Sequence, residues 1–142
     1  MPARQVPEVG DPMTTLTFTI PRELWLTANR HTTNRGHRAR IVRDLHRIAA
    51  TTAQHARIVG AEGPVSVHWT VAYPKGVRLD KGEASNAQPT TKALLDGLVQ
   101  VGLIEDDGPL HVVRESFGRG RNLTRPHDHE VRLVLTSQAV PF

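Results

Sequence analysis

Alternating apolar and polar residues in two stretches of the chain predict β-strands. In LTFTI, residues 16–20, apolar residues alternate with Thr, and in VSVHWTVAY, residues 65–73, one face is wholly apolar. A period of two residues places every second side chain on the same face of a strand. LHVVRESF at 110–117 and HEVRLVLT at 129–136 are also interpreted as strands. We therefore expect four short strands around a small core.

Two other stretches show the spacing of helices. From residue 38 to 58, apolar side chains recur at helical spacing, and several arginines lie on the other faces. The second helix begins at Pro89, where a first helical residue tolerates proline, and ends at Gly102. Gly97, in its middle, predicts a close packing contact with the sheet. The residues expected to face the core from this helix are Leu94, Leu95, Leu98 and Val101.

The order of the predicted elements, β-α-β-α-β-β, indicates an α/β chain of the α+β type. We expect a small mixed sheet of about four strands, with two helices packed on one of its faces. A chain of 142 residues is long enough for one core but too short for a second independent one. Residues 1–13 have several prolines and no periodicity, which predicts a disordered leader before a single domain at 14–142.

Composition excludes several kinds of chemistry. The chain has no Cys, which excludes disulfides, thiolate metal sites and cysteine nucleophiles. No apolar run approaches the roughly 18 residues of a membrane-spanning helix. Residues 1–12 also lack the apolar core of a signal peptide. We therefore expect a soluble, cytoplasmic protein that does not contact a membrane.

Arginine supplies most of the positive charge, and the net charge is +4. Only three of the 18 cationic residues are lysines. Residues 30–57 contain seven arginines and only one acid, Asp44. The planar guanidinium suits bidentate phosphate contacts, so this cluster favours nucleic acid as a partner. An ordinary solvated face is the alternative, and composition by itself does not separate the two.

Carboxylates flank both ends of the second predicted helix. Glu83 precedes it, and Asp106 and Asp107 follow it. The macrodipole disfavours an acid at a helix C-terminus, so another interaction must account for the two aspartates that follow the helix. Hard divalent cations take carboxylates from separate segments, but a helix of about 20 Å keeps these acids apart unless a loop folds back. The alternative is an exposed acidic turn, with Lys92 an ordinary solvated lysine.

The stretch NAQPTTKALLDGLVQVGLIEDD, residues 86–107, resembles the RusA-type Holliday junction resolvases, in particular their phage and actinobacterial branch. In that family an Asn precedes a helix that carries a Lys, followed by an Asp, a Gly at the helix end and a pair of Asp. The residues that match this order are Asn86, Lys92, Asp96, Gly102, Asp106 and Asp107. The resemblance covers most of residues 16–136, and Asn29 matches an Asn that follows the family's first strand.

One position departs from the family pattern. The well-studied members carry two acids, one residue apart, just before the Asn, whereas this chain has Glu83 and then Ser85. A hydroxyl is a weaker cation ligand than a carboxylate, so the departure weakens the implied metal site. Asp80 is a candidate to compensate for the missing acid.

The resemblance implies a homodimeric endonuclease that binds a four-way DNA junction and nicks two opposed strands symmetrically with Mg²⁺ or Mn²⁺. The implied metal ligands are Glu83, Asp106 and Asp107. The implied catalytic residues are these three acids and Lys92, with Asn86 and Asp96 supporting them. The implied DNA-binding residues are Asn29, Arg30, Arg35, Arg38, Arg119, Arg121 and Arg125.

Other functions stay open at this point. A junction-binding protein that has lost nuclease chemistry through the change at Ser85 would keep the same fold and basic surface. A module that binds a protein partner would bind DNA weakly, without the salt dependence of phosphate contacts. His127 and His129 would share one face of a strand, but a metal site there lacks a third nitrogen ligand nearby.

Overall fold

The computed structural model describes residues 13–28, 34–58, 60 and 63–138. Within these residues lie four strands and two α-helices in the predicted order, which confirms the α+β fold. The elements are β1 (Met13–Ile20), α1 (Arg35–Ala56), β2 (Val65–Ala72), α2 (Gln88–Gln100), β3 (Val112–Arg119) and β4 (His129–Ser137). Short 3₁₀ turns at Arg22–Leu24 and Ala84–Ala87 follow β1 and precede α2. Apart from Met13, the predicted leader lies outside the described residues.

The strands form one mixed sheet in the order β1-β4-β2-β3. β4 pairs antiparallel with β1 on one side and with β2 on the other. β3 lies at the edge and runs parallel to β2. Parallel neighbours need a crossover connection, and α2 supplies it between these two strands. The crossover brings α2 to the side of α1, and the two helices pack against each other.

Alternation along the strands sends one set of side chains into the core. Phe18, Trp69 and Leu133 come from three different strands and are fully buried. Burial of a large apolar side chain contributes about 1.5–3 kcal/mol. The helices add Ile41, Leu45, Ala49 and Ala53 from α1, and Leu94, Leu95 and Leu98 from α2. On the opposite face Thr17 and Arg132 are exposed, so the helices cover one face and leave the other open.

Gly97 lies where α2 comes closest to α1. A Cβ atom added to Gly97 would lie 2.9 Å from the Cβ atom of Ala49 and 2.9 Å from the carbonyl oxygen of His46. A side chain at this position would therefore push the two helices apart. The predicted close contact exists, but its partner is α1 and not the sheet.

The end of α2 is a reversal that turns the chain back along the helix. Gly102 has a φ angle of 79°, in the left-handed region that favours glycine. The N–H of Leu103 donates to the carbonyl of Leu98, and the N–H of Gly102 donates to the carbonyl of Val99, each at 3.0 Å. This pair of bonds is the Schellman arrangement, and it confirms Gly102 as the stop. Val101, predicted to face the core, is 40% exposed because it belongs to this turn.

Neither helix is suited to a bilayer. α1 has 22 residues, enough in length to span a membrane, but five arginines interrupt it. In the described part of the chain, no helix is both long and apolar enough to cross a membrane.

Candidate functional site

The ammonium group of Lys92 lies between two carboxylates of the predicted motif. Its Nζ atom donates to Oδ1 of Asp96 at 2.8 Å and also to Oδ2 of Asp107. Asp96 is one turn further along α2, so the helix alone places it beside Lys92. Asp107 lies beyond the helix and reaches Lys92 only because the Schellman turn sends the chain backwards. The loop therefore folds back, as convergence of the motif requires.

This contact explains why an acid follows the C-terminus of α2. The carboxylate of Asp107 does not face the negative end of the helix dipole but lies against a lysine in the body of the helix. Its hydrogen bond with Lys92 holds the pKa of Asp107 below its usual range. The hydrogen bond with Asp107, followed by that with Asp96, raises the pKa of Lys92. Lys92 is therefore charged throughout the physiological range.

Asp106 lies next to this group and faces a histidine. Its Oδ1 atom accepts a hydrogen bond of 2.8 Å from the N–H of Asp107, which orders the two successive acids. Its Oδ2 atom lies 4.0 Å from Nδ1 of His111, whose Nε2 atom is 3.3 Å from Glu105. Two carboxylates, those of Asp96 and Asp107, thus contact one ammonium group, and the carboxylate of Asp106 lies next to them.

Glu115 adds a carboxylate that the sequence reasoning missed. It lies on β3 in register with Val67, so its side chain is on the face of the sheet that the helices cover. Partial removal from water raises the pKa of Glu115, and the nearby positive charge of Lys92 acts in the opposite direction. The signal was present in LHVVRESF, where alternation puts Glu115 on the same face as Phe117.

Glu83 is held at a different position, through its backbone. The hydroxyl of Tyr73 donates to the carbonyl oxygen of Glu83 at 2.8 Å, and the same carbonyl accepts from the N–H of Asn86 at 3.1 Å. The carbonyl of Asn86 accepts from the N–H of Ala28 at 2.9 Å, which ties the segment after β1 to this turn. Ser85, between the two motif residues, is exposed.

The predicted metal ligands do not form a ready-made cage. Among the described residues, no three His, Asp or Glu side chains are arranged so that they could hold a metal ion. Glu83, Asp106 and Asp107 are accordingly not gathered at one point, and Lys92 contacts one oxygen of Asp107. The donor set nevertheless suits a hard divalent cation, because it consists of carboxylates that are wholly or partly exposed.

The predicted DNA-binding arginines that the structure describes lie in two places, at the start of α1 and around the loop that follows β3. Arg35 and Arg38 lie in the first turn of α1, which Asn34 caps by accepting a 3.0 Å bond from the N–H of His37. Arg121 is exposed in the loop after β3. Arg125 is also exposed, and its guanidinium pairs with the carboxylates of Asp128 at 3.3 Å and Glu130 at 3.6 Å. Asn29 and Arg30 lie outside the described residues.

Arg119 is the last residue of β3, and its side chain has an internal role that the sequence did not indicate. Its guanidinium donates to the carbonyl of Gly120 and to Oδ1 of Asn122, both at 2.6 Å. The guanidinium carbon also lies 4.5 Å from the centre of the Tyr73 ring. These contacts fasten the loop after β3 to the end of β2, so the charge of Arg119 is directed inward.

An aromatic cluster lies beneath this part of the protein. The rings of Trp25 and His129 are stacked, with centroids 3.7 Å apart and planes 6° apart, and Tyr73 meets both rings edge-on. Burial lowers the pKa of His129 to about 4, so the imidazole is neutral at physiological pH. A metal site shared with His127 would require His129 at the surface, and its ring instead packs in the interior.

Comparison of the chain with models of known protein families found no match, and a search of curated proteins also found none. A function for this chain is therefore inferred from its own residues and their geometry.

Proposed function

We propose that this chain is a metal-dependent endonuclease that resolves four-way DNA junctions by paired symmetric nicks, like the RusA-type enzymes it resembles. The observation that carries the proposal is the position of Lys92 between Asp96 and Asp107. Residues of the resembled motif that are up to 15 positions apart thus meet around one ammonium group. Exposed ion pairs add only about 0–1 kcal/mol of stability, so stability alone is a weak reason to gather these charges.

The charge balance supports a cation as cofactor. One ammonium pairs with the carboxylates of Asp96 and Asp107, and the carboxylate of Asp106 lies next to this group. The excess of negative charge attracts a further positive charge. Glu83, Asp106 and Asp107 would hold Mg²⁺ or Mn²⁺, with Glu83 brought in by movement of its turn. When bound, the cation would supply Lewis-acid activation of a water and offset charge on the phosphoryl group.

Lys92 has the properties of a group that stabilises negative charge in the transition state. Its raised pKa keeps it protonated, and Asp96 fixes its direction from the same helix face. An ammonium held in place acts on developing charge without having to reorganise. Asp96 and Asn86 support the site in this proposal, Asp96 through its bond to Lys92 and Asn86 through its bonds to the Glu83 turn and to Ala28.

The arginines would contact DNA on either side of these acids. Arg35, Arg38 and Arg121 carry side chains that reach solvent, and they would position phosphates without reading bases. Arg125 would join them after releasing its acidic partners. A homodimer would present two such sites related by a twofold axis, which matches two opposed strands of a junction.

Cleavage of a labelled four-way junction in Mg²⁺ or Mn²⁺ tests the proposal. Asp107→Asn should abolish nicking and leave junction binding intact or tighter, because it removes a carboxylate close to the phosphates. Asp44→Asn is the matched control, since Asp44 is a partly exposed acid of α1 that pairs only with Arg47 at 3.2 Å in the described structure. Nicking by Asp107→Asn at the wild-type rate would contradict the proposal.

A second candidate is a protein of this fold that binds junctions without cutting them. The exposed hydroxyl of Ser85, where the resembled enzymes have a carboxylate, favours it. The same assay separates the two functions. Binding without symmetric nicks, at every metal and pH tried, would assign the chain to this second class.

A further inference from the structure

The open face of the sheet, which points away from α1 and α2, carries mainly hydroxyl and cationic side chains. None of its residues is buried, whereas most residues of β1, β2 and β4 on the other face lie in the core. The strand register defines this open face as Met13, Thr15, Thr17, Thr19, Ser66, His68, Thr70, Ala72, Arg114, Ser116, Gly118, Glu130, Arg132, Val134 and Thr136.

Positive charge on the open face has little to offset it. Arg114 and Arg132 are both exposed. The acid of this face is Glu130. Its carboxylate lies 3.6 Å from the guanidinium of Arg125, so its negative charge is already paired. Between the two arginines, Nδ1 of His68 is hydrogen-bonded to Oγ of Ser116 at 2.7 Å, which orders a hydroxyl at the surface. The face is therefore an array of donors with an excess of cations.

The spacing of these groups suits an extended polyanion. Arg132 aligns with Thr70, and Arg114 aligns with Ser66, four residues earlier on β2. With strands about 4.8 Å apart and about 3.3 Å per residue, the two arginine Cα atoms are about 16 Å apart. The hydroxyls of the open face fill the space between them. A ligand must be long and repeatedly charged to meet both arginines at once.

A second copy of this chain is a poor occupant of the same surface. Two open faces packed together would bring arginines close to arginines, with no unpaired carboxylate on either face to receive them. The apolar side chains available are Ala72 and Val134, which are already half-buried, and Met13 at the end of β1, which is 59% exposed. One exposed methionine would contribute only a small apolar area.

We propose that the open face binds the phosphate backbone of nucleic acid. Arg, Ser and Thr side chains are the usual partners of phosphate oxygens, and such contacts position the chain without reading sequence. This surface lies on the opposite side of the sheet from Lys92 and needs neither a metal nor a junction. It is therefore an additional binding surface, and it does not depend on the proposed nuclease activity.

Binding of the full chain to a short linear DNA duplex in EDTA, over a series of KCl concentrations, tests this proposal. The variants are Arg114→Gln, Arg132→Gln and the double substitution. Arg22→Gln is the control, because it removes the same charge from an exposed position in the 3₁₀ turn that contacts α1. One phosphate contact adds about 0.9 to the salt slope, so each open-face substitution should weaken binding about eightfold near 0.1 M salt. Thermal melting should show that all variants fold.

The outcomes distinguish the open face from other surfaces. A shallower salt slope and weaker binding for the open-face variants, with Arg22→Gln unchanged, would support the proposal. Wild-type affinity and slope in the double variant, or no duplex binding by the wild type, would overturn it. If the open-face variants lost as much affinity for polyglutamate as for DNA, the proposal would also be overturned, since the face would then bind acidic protein equally well. EDTA removes any nicking, so Asp107→Asn tests the nuclease separately.

Discussion

Protonation of His129 should destabilise the protein at mildly acidic pH. Burial against Trp25 and Tyr73 lowers its pKa from 6.5 to about 4, so the unfolded chain takes up the proton first. A depressed histidine pKa means that the full stability is present above pH 6.5 and is lost as pH falls towards 4. A shift of about 2.5 units at about 1.36 kcal/mol each limits the total loss to about 3 kcal/mol.

The window between pH 7.5 and pH 5 shows this effect before most carboxylates titrate. At pH 5 the same linkage gives a loss of about 2 kcal/mol. With a urea slope of about 2 kcal/mol per molar, the unfolding midpoint should fall by about 1 M. Far-UV circular dichroism is the suitable signal, because the fluorescence of Trp25 would respond directly to the charge on the stacked ring.

His129→Phe isolates the contribution of this histidine. The substitution keeps a flat ring against Trp25, and it removes no hydrogen bond of Nδ1, which finds no partner among the described residues. Its unfolding free energy should change little between pH 7.5 and pH 5. His55→Phe, at an exposed position of α1, should keep the wild-type dependence. Equal losses for the wild type and His129→Phe would refute the reasoning.

Three further predictions concern packing and the proposed site. Gly97→Ala should destabilise the fold by about 1–3 kcal/mol in thermal melts, because its Cβ would clash with α1, whereas Gly36→Ala, with no atom closer than 3.5 Å, should not. Tyr73→Phe removes the hydrogen bond to the Glu83 carbonyl, so the unfolding free energy measured in urea should fall by about 1 kcal/mol. Unchanged stability would count against that hydrogen bond. Ser85→Asp should raise the rate of junction nicking by restoring a carboxylate, and an unchanged rate would show that the site does not need one.

Local patterns were sufficient for most of the secondary structure. Alternation within β1 and β2 marked the residues that fill the core, since the side-chain period of a strand does not depend on its partners. Pro89 and Gly102 bracketed α2 because their backbone preferences act within one turn. The carboxylates around this helix could be named as candidates from their order in the chain, but their contacts could not.

The sequence by itself determined the class of the fold, the ends of α2 and the residue types available to the site. The tertiary structure decided which of these residues meet: Asp107 with Lys92, and Gly97 with α1. It also turned Arg119 inward against Tyr73. Such pairings depend on how sharply the chain turns and on which strands become neighbours. The spacing of residues along the sequence specifies neither of these.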